Sequence, residues 1–152
     1  MVRVMKNKFI VYLFLVLSVF IISGCELNDN KNNNTNNEVK NTMKAIINEQ
    51  EYTINLEDNE TVTSLLNKLP LEVQMTELNG NEKYVYLDYD LPTNSSSQKR
   101  IYAGDVMLYG NNCLVIFYKS FNTSYSYTKI GHIDKLPNLG SGSINVKFIK
   151  NI

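Results

Sequence analysis

The 152-residue sequence has no tryptophan, one histidine, two arginines and two cysteines, Cys25 and Cys113. If Cys25 is modified, as argued below, Cys113 alone remains, and one cysteine can form neither a disulfide framework nor a thiolate metal site. Cys113 is followed by the apolar run Leu-Val-Ile-Phe. We therefore expect a buried strand thiol rather than a reactive one.

Basic clusters are also lacking beyond the N-terminus. The whole chain balances 15 basic against 15 acidic side chains, and removal of Arg3, Lys6 and Lys8 leaves 12 against 15, a net charge of −3. Binding to nucleic acid needs a clustered basic face that neutralises phosphates. Nucleic acid is therefore excluded as an expected partner.

The N-terminus combines a basic start with an apolar run over residues 9–22, which has the length of a signal-peptide core and is short for a spanning helix. The next tetrapeptide, Ile-Ser-Gly-Cys at residues 22–25, resembles the lipobox of bacterial lipoproteins. The resemblance implies that residues 1–24 are a signal peptide and that Cys25 becomes the lipidated N-terminus. An ordinary signal peptide or an uncleaved membrane anchor is the alternative.

Lipidation predicts a location at the cell membrane, on its extracytoplasmic face. Acyl chains contribute about 0.8 kcal/mol per buried methylene, so two or three chains anchor a protein stably. Residues 25–41 include eight asparagines and very few apolar side chains, so we expect a disordered tether. By the scaling of flexible linkers, this tether holds the following domain roughly 20–25 Å from the anchor.

Residues 42–152 have the length of one small domain, and their apolar pattern mostly has the period of two that is typical of strands. Residues 43–47 and 52–56 predict a hairpin, and Val62, Leu65, Leu66 and Leu69 predict one helix, with Asn59 or Thr61 as its cap.

Further strands are predicted at 71–75, 84–87, 106–109, 114–118, 125–133 and 144–149. Residues 91–100 predict an exposed polar loop, and residues 134–139 predict a single helical turn. Seven or eight short strands imply a mainly β fold, a closed or nearly closed barrel with one or two short helices.

Seven segments occur in an order that matches a known family: residues 70–71 (PL), 78–84 (LNGNEKY), 91–93 (LPT), 103–110 (AGDVMLYG), 113–121 (CLVIFYKSF), 123–131 (TSYSYTKIG) and 140–142 (GSG). Together they resemble the small bacterial cyclophilin-like domain family over about residues 43–150. The resemblance implies an eight-stranded barrel capped by helices, and it implies little about function.

Cyclophilins catalyse prolyl isomerisation with an arginine beside a Phe-Met-x-Gln stretch and aromatic residues that line a proline pocket. Here Arg100 is the one arginine after the signal peptide, it ends the polar loop, and neither the Phe-Met-x-Gln stretch nor tryptophan occurs. We therefore expect Arg100 to be exposed and no residue to be catalytic. The alternative function is a peptidyl-prolyl isomerase whose active site differs from that of the cyclophilins.

Other catalytic or metal sites have weak signals. His132 has no serine or cysteine partner in a recognisable motif, so an exposed strand-end histidine is expected. Asp88 and Asp90 could share a face, but two carboxylates fall short of the six to eight oxygens that calcium prefers. We expect neither a metal nor a cofactor.

Tyrosine is the remaining functional signal, because it combines apolar area with a polar end, as binding surfaces require. Strand alternation places Tyr84 with Tyr86, and Tyr125 with Tyr127, on shared faces, where they either pack against the barrel or border a groove. The sequence predicts a non-catalytic module that binds a small molecule or an extended peptide. The candidate ligand-binding residues are Tyr84, Tyr86, Tyr118, Phe121, Ser124, Tyr125 and Tyr127.

Lipidation is tested by the substitution Cys25→Ser. The thioether bond to the lipid cannot form without the thiol, so the variant should leave the membrane fraction or retain its signal peptide. Membrane fractionation and the apparent mass on a denaturing gel measure both effects. Normal processing together with an unchanged membrane fraction would contradict the lipobox interpretation.

Overall fold

The computed structural model describes residues 41–151. The signal peptide predicted for residues 1–24 and, apart from Asn41, the tether predicted for residues 25–41 lie outside the described residues. The described chain forms eleven strands and one short helix, in the order β1 (Thr42–Ile47), β2 (Gln50–Leu56), α1 (Glu60–Leu66), β3 (Leu71–Leu78), β4 (Glu82–Tyr86), β5 (Ser96–Ser97), β6 (Arg100–Ile101), β7 (Asp105–Tyr109), β8 (Cys113–Phe117), β9 (Phe121–Asn122), β10 (Ser126–Ile133) and β11 (Ile144–Lys150).

Eight of these strands form a closed antiparallel barrel. The strand order is β2-β1-β11-β3-β4-β8-β7-β10, and β10 pairs back onto β2. Closure brings Gly131 opposite Leu56, where a Cβ on Gly131 would lie 2.4 Å from the carbonyl oxygen of Asn55. Only glycine permits this approach, since such a contact is far inside van der Waals distance. The predicted mainly β barrel is thus confirmed.

Two apolar clusters lie on opposite sides of the barrel wall. The larger fills the interior with alternate side chains of every barrel strand, including Leu108, Leu114, Ile116 and Phe148. The smaller lies outside strands β7, β8 and β10 and consists of Ile101, Met107, Cys113, Val115, Phe117 and Tyr127. Strand β8 is buried along its whole length because both clusters contact it.

The helix α1 is short and covers the interior cluster with Val62 and Leu65. Of the two caps predicted, Asn59 is the one that acts, since its side-chain oxygen accepts a 2.9 Å hydrogen bond from the Val62 amide. Thr61 instead donates its hydroxyl to the Pro92 carbonyl at 2.6 Å. Across residues 41–151, no helix is long and apolar enough to cross a membrane.

Two predictions for the connections were inaccurate. The helical turn predicted for residues 134–139 is wrong, because a turn at Asp134 and Lys135 is followed there by irregular chain. The loop predicted for residues 91–100 contains Ser96–Ser97, which pairs with β10, and its last residue pairs with β9. Two-residue ladders depend on contacts with distant strands, and a local sequence pattern carries no signal for them.

A buried lysine connects β4 to the segment that precedes β11. Lys83 is fully buried, and its Nζ donates to the carbonyl oxygens of Gly140 at 2.7 Å and Gly142 at 2.6 Å. Its charge is opposed by Glu77 at 3.5 Å, whose carboxylate also accepts hydrogen bonds from the Tyr118 hydroxyl and the Gly80 amide. Every donor that Lys83 buries therefore has a partner.

Removal of this ammonium should destabilise the fold strongly. Lys83→Met leaves two carbonyls and a carboxylate without their donor, and loss of one partner of a buried pair costs about 3 kcal/mol. The matched control, Lys44→Met, removes an exposed ion pair with Glu51 and should cost less than about 1 kcal/mol. Urea unfolding followed by circular dichroism measures both variants. Equal losses in the two variants would contradict the structural role of Lys83.

Candidate functional site

A groove of about 280 Å³ lies on the outer face of the barrel. Strand register explains how it forms, because Tyr86 lies opposite Cys113 and Tyr84 lies opposite Val115 across β4 and β8. On the other side of β8, Cys113 lies opposite Tyr109. Cys113 and Val115 therefore form the floor of the groove, with tyrosines from the neighbouring strands on both sides.

Each wall of the groove contains tyrosine rings that meet edge to face. Tyr84 and Tyr86 on β4 have ring centroids 5.8 Å apart and planes at 81°. Across the floor, Tyr109 contacts Tyr125 at 6.0 Å and 85° and Tyr127 at 5.5 Å. Tyr86, Tyr109 and Tyr125 are 65%, 44% and 60% exposed. These rings provide accessible aromatic surface on both sides of one small concavity.

Glu82 gives one end of the groove an acidic side chain. It shares the outward face of β4 with Tyr84 and Tyr86, and it lines the groove together with Leu78 and Asn79 of the β3–β4 turn. Within the described part of the chain, its half-buried carboxylate has no hydrogen bond or ion pair. Burial, and then the negative charge of Glu77, raises the pKa of Glu82 above its usual value.

The outer apolar cluster fixes the tyrosine walls from beneath. Tyr127 is buried, and its ring lies 5.5 Å from that of Phe117 at 90°. Phe117 also contacts Phe121 at 5.7 Å, and Phe121 belongs to the two-residue strand that pairs with β6. This packing makes Tyr127 part of the support of the groove as well as part of its lining.

The thiol of Cys113, at the floor of the groove, is not activated as a nucleophile. Cys113 is buried, and burial, with a smaller effect from the negative charge of Glu82, raises its pKa to about 11. Burial and then Glu82 likewise raise the pKa of Tyr127 to about 12. At neutral pH both groups are protonated, so neither is an activated nucleophile.

The structure places the seven predicted ligand-binding residues in four settings. Tyr84, Tyr86, Tyr125 and Tyr127 line the groove. Phe121 packs beneath it, and Ser124 lies exposed in the connection that precedes β10. The remaining residue, buried Tyr118, lies outside the lining, and its hydroxyl donates to Glu77 at 2.9 Å.

Among the lining residues that the sequence prediction of the site did not include, Tyr109 and Glu82 contribute an aromatic ring and a carboxylate. Tyr109 ends β7 beside a turn, and only pairing with β8 shows that it joins the other tyrosines. Glu82 closely follows the Asn79-Gly80 turn signal, so the sequence suggests an exposed charged residue of the turn. Strand alternation nevertheless places Glu82 on the same face of the strand as Tyr84 and Tyr86. That alternation was the one available signal.

Other candidate catalytic groups lie outside the groove lining. The Arg100 guanidinium is exposed, with a 3.0 Å hydrogen bond to Asn122. His132 Nδ1 lies 2.9 Å from Asp105 on the opposite end of β7 from Tyr109. Asp88 and Asp90 are exposed, and residues 41–151 contain no group of three or more potential metal ligands.

A larger concavity of about 570 Å³ lies outside β1, β11 and β3. Two of its three charged side chains form an ion pair, since Lys147 contacts Glu72 at 2.7 Å, and the third, Glu49, is exposed to solvent. It contains no aromatic side chain among its lining residues. The smaller tyrosine groove is therefore the better candidate, because it joins apolar rings to an unpaired polar group, as ligand sites do.

Comparison with family models gives a match to the cyclophilin-like family over residues 45–149. Neither the curated proteins nor the solved structures gave a match. The matched region begins in β1 and ends in β11, so it covers all eight strands of the barrel and both sides of the groove. By fold and by this match, the chain belongs to the cyclophilin-like family.

Proposed function

We propose that the protein is a membrane-tethered lipoprotein whose cyclophilin-like domain binds a small molecule or an extended peptide without transforming it. Cys25 is the proposed lipid attachment site, and the extracytoplasmic face of the cell membrane is the proposed location. The observation that carries the binding role is the groove of about 280 Å³ between two tyrosine walls.

The groove has the physical properties of a binding site. Tyrosine rings offer large rigid contact area with a hydroxyl at the edge, and they lose little side-chain entropy when a ligand is bound. The exposed rings of Tyr86 and Tyr125 remain in water in the free protein, so a ligand between the walls would bury apolar surface. The buried support by Phe117 and Tyr127 keeps the walls in place before binding.

The chemistry of the lining supports binding over catalysis. Its thiol, Cys113, is protonated, its carboxylate, Glu82, has no histidine or hydroxyl partner, and Arg100 is not in the lining. Covalent catalysis needs a nucleophile within hydrogen-bond reach of a base, and the groove presents no such pair among the described residues.

Loss of exposed groove tyrosines should weaken binding without unfolding the barrel. We expect Tyr86→Ala and Tyr125→Ala to remove most of the thermal shift produced by hits from a chemically diverse small-molecule screen, with stability changed by less than about 1 kcal/mol. Tyr127→Ala should instead destabilise by about 3 kcal/mol, since its ring is buried.

Tyr102→Ala is the matched control, because Tyr102 is also exposed but lies outside the groove lining. Differential scanning fluorimetry measures stability and ligand shifts in one experiment. Hits that Tyr125→Ala retains and Tyr102→Ala loses would place the binding site elsewhere, and a screen without hits would remove the small-molecule role.

Prolyl isomerisation is the alternative function, and membership of the cyclophilin-like family is the observation in its favour. Because Arg100 bonds to Asn122 at the surface, we expect no activity. The full-length protein, added in excess to a refolding protein whose slow phase is limited by proline, should leave that phase unchanged. Acceleration that disappears in Arg100→Ala would establish the isomerase and contradict the non-catalytic proposal.

A further inference from the structure

The groove combines aromatic walls with an unpaired acidic group, and the two features together point to one class of ligand. Glu82 is half-buried beside Tyr84 and Tyr86 and, within residues 41–151, no lysine, arginine or histidine contacts its carboxylate. None of the described residues that line the groove is basic. The concavity is therefore negative as well as aromatic.

Among residues 41–151, no cationic side chain contacts a tyrosine of the groove. The four contacts between a cation and an aromatic ring in the described chain involve Tyr89, Tyr102 and Tyr118, all outside the lining. The groove rings meet near right angles on each wall, at 81° for Tyr84 and Tyr86 and 85° for Tyr109 and Tyr125. In an edge-to-face pair the ring that contributes its edge keeps both of its faces free of the other ring, and an aromatic face within about 6 Å attracts an ammonium group.

We propose that the groove binds a small organic cation, a quaternary ammonium or a protonated amine, with its charge placed between the tyrosine walls and the Glu82 carboxylate. The inference rests on the proposed binding function and names its ligand class. A cavity of about 280 Å³ is near the lower limit of ligand pockets, which favours a free small molecule over a peptide.

Electrostatics supports the same assignment. Burial, and then the nearby Glu77, disfavours the charged form of Glu82 and raises its pKa. Glu77 is itself neutralised by Lys83, whereas Glu82 lies on the other face of β4, away from that lysine. A bound cation would provide the opposite charge that residues 41–151 do not place beside Glu82.

Calorimetric titration of the full-length protein with choline and with its neutral isostere, in which a tert-butyl group replaces the trimethylammonium group, tests the proposal. The two probes have the same shape and differ in charge. We expect choline to bind about tenfold more tightly, because both the aromatic faces and the carboxylate act on its charge. Equal affinity for the two probes, or no binding of choline, would overturn the cation assignment.

Variants identify the groups responsible. Glu82→Gln keeps the shape of the side chain and should remove most of the preference for choline, whereas Glu72→Gln, in the other concavity, should leave it unchanged. A preference retained in Glu82→Gln would overturn the role of this carboxylate. Tyr125→Ala should weaken both probes, since it removes ring area that either probe contacts.

The source of the cation is tested separately. Binding of the Cys25→Ser protein to phosphatidylcholine vesicles that the added substitution Glu82→Gln weakens, without binding of free choline, would assign the site to a lipid headgroup and overturn the free-ligand assignment. Failure of the cation inference remains distinct from failure of the binding function. If the neutral isostere or unrelated screening hits bind and Tyr125→Ala weakens them, the groove is a binding site of other specificity.

Discussion

The burial of strand β8 on both faces is the constraint on which the rest of the structure depends. Leu114 and Ile116 fill the barrel, while Cys113, Val115 and Phe117 face outward into a second apolar cluster. An outward apolar face must be covered, because exposed apolar surface of this size is unfavourable in water. The short strands at Ile101 and Phe121 and the ring of Tyr127 provide the cover over one part of it. The groove lies at the edge of this cover, on the outward face of β8.

The buried Lys83 network fixes the position of one end of that groove. Lys83 connects β4 to the carbonyls of Gly140 and Gly142, and Glu77 connects β3 to the turn through the Gly80 amide. Leu78 and Asn79 of the same turn line the groove. Since Lys83 points inward and Glu82 outward on adjacent positions of one strand, the alternation of β4 separates a neutralised pair from a lone carboxylate.

Most of the barrel could be predicted from the sequence, because its long strands alternate and its turns carry Asn-Gly or Gly signals. Asn59 was a recognisable cap because it precedes an apolar stripe. The site was less accessible to such reasoning. Tyr84 and Tyr86 share a strand, but their meeting with Tyr109 and Tyr125 depends on register between distant segments. Tyr118, which follows β8, has its hydroxyl on Glu77, a contact that only the folded hairpin creates.

The side chains at the groove are poor choices if stability alone is the criterion. Position 82 faces apolar rings, where valine or leucine would pack without a desolvation penalty, yet a carboxylate occupies it. Tyr86 and Tyr125 expose most of their area beside Glu82. Phe117 and Tyr127, in contrast, are buried in the same barrel, so the fold is able to cover aromatic rings. Residues that violate the local rules of packing and charge pairing are concentrated at functional sites. Three of them lie around one concavity, where the proposed ligand would bury the rings and neutralise the charge.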